Sequence, residues 1–314
     1  MIQLNGSIMR IVSLLPSATE LVCGLGLQDR LVGVSHECDY PSTVECLPKL
    51  TRSRIPSGLA SSDIDIIVSE QLENNQILYD LDIPLLVELA PDLVVTQALC
   101  NVCAVSGNEV ARAFNQLSEN PVLVNLEPTS LGEVLDSVIE VSQAADCADH
   151  GESYVKGLRN RIKSVGDKSN KISNQARPRV ALLDWVDPLF DGGHWSPEII
   201  ALAGGKPCFG VQGEPSQRRG WSELIDAGPE VILVALCGFD IERSIHDVRR
   251  FVSSQEFLRL KKNADTRVYL FDGNAYFSRP GPRLVDALEI TANALHPDVH
   301  ALPASVMPAL KIET

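Results

Sequence analysis

Basic side chains are the minority in this 314-residue chain: 27 Lys and Arg face 41 Asp and Glu, for a formal charge of -14 and a pI near 4.9. Nucleic-acid affinity comes largely from neutralising phosphates, so this balance argues against a DNA or RNA reader. No stretch approaches the ~18 consecutive apolar residues that cross a bilayer, and no long basic amphipathic stretch appears, so membrane insertion is not expected. The opening residues, Met1 to Arg10, lack the charged start, apolar run and small-residue cleavage site of a secretory signal. Eight cysteines without such a signal read as reduced thiols rather than a disulfide framework. The expected location is therefore the cytoplasm, or the periplasm only if a signal has been removed. Also missing are a Ser-His-Asp spacing, a Walker-type phosphate loop and a GxGxxG; Gly24-Leu25-Gly26 is too short and falls at a helix end. With no catalytic set in view, a binder of a small molecule is favoured over an enzyme.

What is present is apolar material for two cores, with 45% hydrophobic residues. The length suits two lobes of roughly 130 to 150 residues each. Short Val-, Ile- and Leu-rich runs at Arg10 to Leu15, Leu31 to Ser35, Asp92 to Gln97 and Pro121 to Asn125 alternate with helical segments, as in a parallel sheet covered on both faces. Ser17 with Glu20, and Ser130 with Glu133, have capping-box spacing. From Ser130 to Val165 the helical pattern is sustained, with Gly151 a point of interruption; ~36 residues would span roughly 50 Å. Further strands are expected at Val180 to Leu183, Val231 to Val234 and Arg267 to Phe271. The organisation reads as an N-terminal α/β lobe (1–129), a linking helix with its exit loop (130–176) and a C-terminal α/β lobe (177–314). Leu89-Ala90-Pro91-Asp92-Leu93-Val94-Val95 echoes Ala227-Gly228-Pro229-Glu230-Val231-Ile232-Leu233 across the two lobes.

In open parallel sheets ligands bind beyond the carboxyl ends of the strands, so the post-strand loops hold the candidate residues. Trp185, Trp195, Phe239, Tyr276 and Phe277 all follow strands and can wall a site for a flat conjugated ligand, although each alone suits a core equally. His194, between Gly193 and Trp195, could serve as an axial ligand to cobalt or iron. Cys100 and Cys103 form a CxxC before a helix and supply half of a tetrahedral zinc site; His36 and Cys38, on another loop of the same sheet, could complete it with zinc or iron, or the four could be small packing residues. Arg279 with Arg283, and Arg52 with Arg54, can hold an anionic or amide edge or form surface salt bridges.

Ile11-Val12-Ser13-Leu14-Leu15-Pro16-Ser17-Ala18-Thr19-Glu20-Leu21, then Gly24-Leu25-Gly26 and Leu31-Val32-Gly33-Val34, resemble the opening of the cobalamin and iron-chelate periplasmic-binding-protein superfamily, the helical-backbone class III. The likeness runs from about residue 10 to residue 298 through Pro91 to Val95, Gly228 to Ile232 and Gly281 to Glu289. The loops His36 to Pro41, Leu99 to Val105, Gly193 to Trp195 and Asn274 to Arg283 are similar to those of a cobalamin-binding subgroup. The resemblance implies two Rossmann-like lobes with parallel sheets joined by a long backbone helix, and cobalamin or another corrinoid held in the cleft between the lobes. It implies ligand contacts in the loops after Leu15 (Pro16, Ser17) and at Gln97 and Leu99, with His36 nearby, and around Trp185, Trp221 and Arg279, where Arg279 aligns with a family cleft arginine. Relatives that dock on an ABC importer carry a glutamate seven residues before the Pro that precedes the strand. Here those places hold Pro84 and Ser222, with Asp82 and Glu223 offset, which argues against importer docking. The alternatives are an iron-chelate or haem binder, and a metal- or thiol-dependent enzyme using the CxxC and the His36/Cys38 loop.

Overall fold

The computed structural model describes residues 8–74, 76–97, 114, 121–263 and 265–314. The chain divides into two compact units, Met1–Pro128 with Leu135–Lys156, and Thr129–Val134 with Gly157–Thr314. The fold is α/β, with a sheet of parallel strands at the centre of each unit.

In the first unit β1 (Ile11–Ser13), β2 (Leu31–Val34), β5 (Leu93–Thr96) and β6 (Val122–Asn125) form a parallel sheet in the order β2-β1-β5-β6. Between β2 and β5 lie an antiparallel ribbon of β3 (Thr51–Ser53) and β4 (Tyr79–Leu81) and the helices α2 (Ser61–Glu73) and α3 (Ile83–Leu89). Helix α1 (Pro16–Gly24) follows β1. The expected Ser17/Glu20 capping box does not form. Leu15 takes the N-cap position with no side-chain hydrogen bond, and Pro16, whose fixed φ suits a first helical residue, opens the helix. Ser17, Thr19 and Glu20 are buried instead. The box at Ser130 does form: the Glu133 carboxylate accepts from the Ser130 amide at 3.2 Å, and the Glu133 amide donates to Ser130 Oγ at 3.3 Å.

The helical segment that this box opens is two helices, α4 (Leu131–Ala144) and α5 (Ala148–Ser169). The break is at Asp146, which adopts φ 55 and so leaves the right-handed helix, whereas Gly151 lies inside α5. The chain crosses between the two units within each helix, at residues 134/135 and 156/157.

In the second unit β7 (Arg179–Val186), β8 (Leu189–Asp191), β9 (Lys206–Pro207), β10 (Val231–Val234), β11 (Arg267–Leu270) and β12 (Leu310–Ile312) form a sheet in the order β12-β11-β10-β7-β8, with β9 also on β7. β7, β9, β10 and β11 are parallel; β8 and β12 are antiparallel edges. Continuous apolar runs are explained by the two faces. Val231 and Leu233 join one buried cluster, with Val180, Leu182 and the helix α10 (Leu284–Leu295), while Ile232 and Val234 join the other, with Ala181 and Leu183. Helices α6 (Ser196–Leu202), α7 (Trp221–Ala227), α8 (Ile241–Val252) and α9 (Gln255–Asn263) complete the unit.

The sequence echo is structural. α3 ends at Ala90 and α7 at Gly228, both left-handed, with φ 39 and 53. A proline and an acid follow: Asp92 accepts from the Arg10 amide at 2.7 Å, and Glu230 from the Arg179 amide at 2.9 Å. Each arginine's Nε then donates to the end of the helix, Arg10 to the Leu89 carbonyl at 2.8 Å and Arg179 to the Gly228 carbonyl at 2.9 Å.

Candidate functional site

Three adjacent parallel strands of the second unit, β7, β10 and β11, end at one place, and hydrogen bonds join the end of β7 to the loops that follow β10 and β11. The Cys237 amide donates to the Asp184 carbonyl at 3.0 Å, the Asn274 amide to the Phe239 carbonyl at 3.0 Å, and the Gly238 amide to Ser278 Oγ at 3.2 Å. Gly273 permits this approach, since a Cβ there would lie 2.1 Å from the Leu236 carbonyl oxygen. On this base the half-buried rings of Trp185 and Phe239 meet at 5.2 Å between centroids, and the Arg243 guanidinium lies 4.4 Å from the Phe239 centroid. The result is an indole, a phenyl ring and a cation side by side at the carboxyl ends of the strands, an arrangement suited to a flat ligand with a polar or anionic edge.

The other aromatic candidates divide. Trp195 and Phe277 are buried in the core, with Trp195 Nε1 donating to the Phe277 carbonyl at 3.1 Å. Tyr276 is half-buried beside Arg283, and Trp221 stacks on Phe251 at 5.1 Å. Arg279 is 5% exposed and donates to Asn274 Oδ1 at 2.8 Å, so it braces the post-β11 loop. His194 adopts φ 51. Its Nδ1 is buried without a hydrogen-bond partner among the described residues, and burial pushes the ring's pKa down, which keeps the imidazole neutral. Axial ligation through that nitrogen would require a group reaching inside the protein.

Sequence reasoning passed over the carboxyls of the β7–β8 hairpin. Asp191, 1% exposed, accepts from the Gln217 amide at 2.7 Å and from Arg219 Nε at 2.8 Å. Asp184 keeps some accessible surface, yet the protein packs densely around its carboxyl. That burial, with the neighbouring Asp191 charge, pushes its pKa up to about 7 against a hydrogen bond from Ser216. The two acids stand seven residues apart, and only the hairpin and the segment crossing it bring them together.

In the first unit the post-strand residues form a buried hydroxyl–thiol chain. Thr19 Oγ1 donates to Ser13 Oγ at 2.8 Å, and Cys38 Sγ lies 3.0 Å from Thr19 Oγ1 and 3.3 Å from Ser35 Oγ. His36 turns to other partners, with Nδ1 2.7 Å from Thr51 Oγ1 and its ring near Tyr79. Burial raises the Cys38 pKa and lowers that of His36, so both are held neutral. Pro16 opens α1, and Ser17 and Gln97 are buried at 3% and 5% exposure. Leu99, Cys100 and Cys103 lie outside the described residues. Among the described residues no three His, Cys, Asp or Glu side chains are placed to hold a metal ion. Arg54 pairs with Asp80 across the β3–β4 ribbon, Nε to Oδ1 at 3.0 Å. Asp82 and Glu223, near the expected importer-docking positions, cap helices: Asp82 accepts from the Leu85 amide at 2.9 Å and Glu223 from the Gly220 amide at 2.6 Å.

A recess of about 480 Å³ opens at the amino ends of the second unit's strands, lined by Arg179, Glu230, Arg267 and His296 among others. No Trp, Tyr or Phe lines it, so it offers a flat ligand less than the carboxyl-end loops do.

Known proteins share this fold. The family described as "periplasmic binding protein" matches residues 11–273. The chain belongs to that family. It is 25% identical over 281 residues to a vitamin B12-binding protein of Vibrio cholerae, covering 89% of this chain and 86% of the relative. It is 25% identical over 299 residues to an uncharacterized ABC transporter substrate-binding lipoprotein, YvrC, of Bacillus subtilis, covering 92% and 80%. The solved structure of a periplasmic heme binding protein from Pseudomonas aeruginosa superposes with a TM-score of 0.70 at 16% identity, covering 98% of this chain and 99% of the other.

These findings overturn the expected cytoplasmic location, because the family is periplasmic and the Bacillus relative is a lipoprotein; they point outside the cytoplasm. The expectation rested in part on cysteine count. A thiol with no second thiol at bonding geometry forms no intramolecular disulfide in either compartment, so the six free cysteines among the described residues do not report it. No described helix is long and apolar enough to cross a membrane.

Proposed function

We propose that this periplasmic binding protein takes a corrinoid, cobalamin or a close analogue, as its ligand. The observation that carries the reading is Trp185 near the end of β7 packed on Phe239 after β10, with Arg243 in the first turn of α8, beside the hydrogen-bonded loops that follow β10 and β11. A corrin offers a broad apolar face to the two rings and amide or phosphate edges to the guanidinium. The resemblance to a vitamin B12-binding protein supports this choice of ligand. Haem is the second reading, favoured by the likeness to a heme binding protein and by the same aromatic pair, with Arg243 then facing a carboxylate edge.

Absorbance titrations of the purified protein with cyanocobalamin and, separately, with haemin distinguish the two. A saturable shift with cyanocobalamin, weakened about tenfold or more in Trp185→Ala and Phe239→Ala, is the expected result. A shift with haemin alone makes the second reading the correct one. No saturable shift with either ligand overturns both.

A further inference from the structure

The indole Nε1 of Trp185 donates to the Asp187 carbonyl at 3.1 Å, so this ring offers a ligand its faces and no donor. The choice of ligand edge therefore falls to Arg243, in the first turn of α8, whose guanidinium lies 4.4 Å from the Phe239 centroid. That cation is not alone. Asp247, one helical turn further along α8, accepts from Arg243 Nη1 at 3.4 Å. Asp240, at the N-cap of the same helix, accepts from the Arg243 amide at 2.7 Å. On the Trp185 side, Asp187 pairs with Arg250 at 3.3 Å. With Ser244, Val248 and Phe251, Asp247 lies on the buried stripe of α8, its side chain 6% exposed beside an Arg243 side chain 34% exposed. A carboxylate on a packing stripe costs desolvation, and an i,i+4 pair whose cation is itself partly exposed returns little of it. Proteins break the packing rule in this way chiefly at functional sites.

We propose that Asp247 is the selectivity residue of this site: by neutralising Arg243 it fits the site to a flat ligand with uncharged amide edges and turns away one with carboxylate edges. The inference rests on the corrinoid reading and deepens it by naming the edge that the site accepts. A guanidinium has five N–H donors, so pairing with Asp247 leaves donors for an amide carbonyl. To an incoming carboxylate the pair offers no net charge. Asp247 and Asp240, on the same helix end, then stand against it. Like charges brought together where water is being excluded are a strong means of rejecting the wrong partner. Asp247 touches Arg243 rather than the ligand, so it is a positioning residue that acts through the cation.

Two corrinoids of the same ring separate the edges: cobinamide, with amides around the ring, and cobyrinic acid, with carboxylates at those positions. Absorbance titration of the wild type is expected to show cobinamide bound at least about tenfold more tightly than cobyrinic acid. In Asp247→Asn, which keeps an oxygen for Arg243 and loses the charge, that ratio is expected to fall about tenfold through a gain for cobyrinic acid. A merely structural role would weaken both ligands together and leave the ratio unmoved. Equal affinities in the wild type, or an unmoved ratio in Asp247→Asn, overturn the inference while the corrinoid reading stands. No saturable binding of cobinamide overturns that reading, and the inference with it. If Asp247→Asn fails to fold, the wild-type ratio at low salt and at about 1 M NaCl decides. A preference for cobinamide that shrinks as charge is screened supports the inference, and one that salt leaves unchanged overturns it.

Discussion

Helix α3 leads into β5, and α7 into β10, by the same steps: a left-handed residue, a proline, and an acid that receives the amide of an arginine whose Nε returns to the end of the helix. The registers agree as well, with Ile11 opposite Leu93 and Val180 opposite Val231. At the other ends of the same strands the two units part. The first unit buries a chain of hydroxyls and a thiol around Cys38, while the second ties the end of β7 to the two loops after β10 and β11 and leaves Trp185 and Phe239 half-exposed. Amino ends repeat because they solve one local problem, turning a helix into a buried strand without stranding backbone groups. Carboxyl ends diverge because nothing in the sheet dictates what they hold.

The largest effect that separates the two ends is expected at Gly273. An alanine Cβ would sit 2.1 Å from the Leu236 carbonyl oxygen, a backbone atom that cannot swing aside. Gly273→Ala should cost about 3 kcal/mol by urea unfolding and should weaken ligand binding in parallel. An unchanged midpoint would mean that the post-β11 loop yields easily and does not brace the site.

A smaller effect, of opposite sign in the two units, is expected where the shared turn is made. Gly228 has open space around its Cα, with Arg179 Nη2 at 3.7 Å the nearest atom to an added Cβ, so Gly228→Ala meets only the left-handed penalty of about 1 kcal/mol. Ala90 already bears that strain at φ 39. Ala90→Gly should therefore raise stability by a few tenths of a kcal/mol, the relieved strain being partly offset by the freer unfolded chain. If both substitutions destabilise, the turns are not equivalent.

How much of this was legible depends on whether the signal is local. The Val231–Val234 strand is found where its apolar run lies, since a strand buried on both faces must be apolar throughout. The β3–β4 ribbon carries Thr-Arg-Ser and Tyr-Asp-Leu, with no such run to mark it. Ser17 and Glu20 had the spacing of a cap, but Pro16 opens the helix two residues earlier than that cap would, and both side chains are buried. Trp185 was expected in a loop after its strand but lies within β7, Trp195 follows β8, and no sequence feature says that the first is half-exposed and the second is core. The partnership of Asp184, Asp191, Ser216 and Arg219 exists only once the β7–β8 hairpin and the segment crossing it are folded together, so no spacing could reveal it.

The smallest expected effect concerns the acids that close the repeated turn. Asp92 is half-buried, and its short side chain loses little freedom in accepting the Arg10 amide at 2.7 Å, so Asp92→Ala should cost about 1.5 kcal/mol, the lower end for a hydrogen bond to a charged group. Glu230 and Arg179 have side chains 48% and 53% exposed, and their closest charged atoms are 3.9 Å apart. Glu230→Ala should cost less than Asp92→Ala, because its ion pair with Arg179 is exposed and screened and ordering the longer side chain offsets part of its 2.9 Å bond to the Arg179 amide. Urea unfolding at low salt and at about 1 M NaCl separates the two contributions. The Glu230 effect should shrink with salt as screening shortens to about 3 Å, while the Asp92 effect, carried by a short bond to a backbone amide, should persist. Equal costs with equal salt dependence would show that the two ends differ in side-chain length alone, and that burial has no part in how the first unit anchors its leading strand.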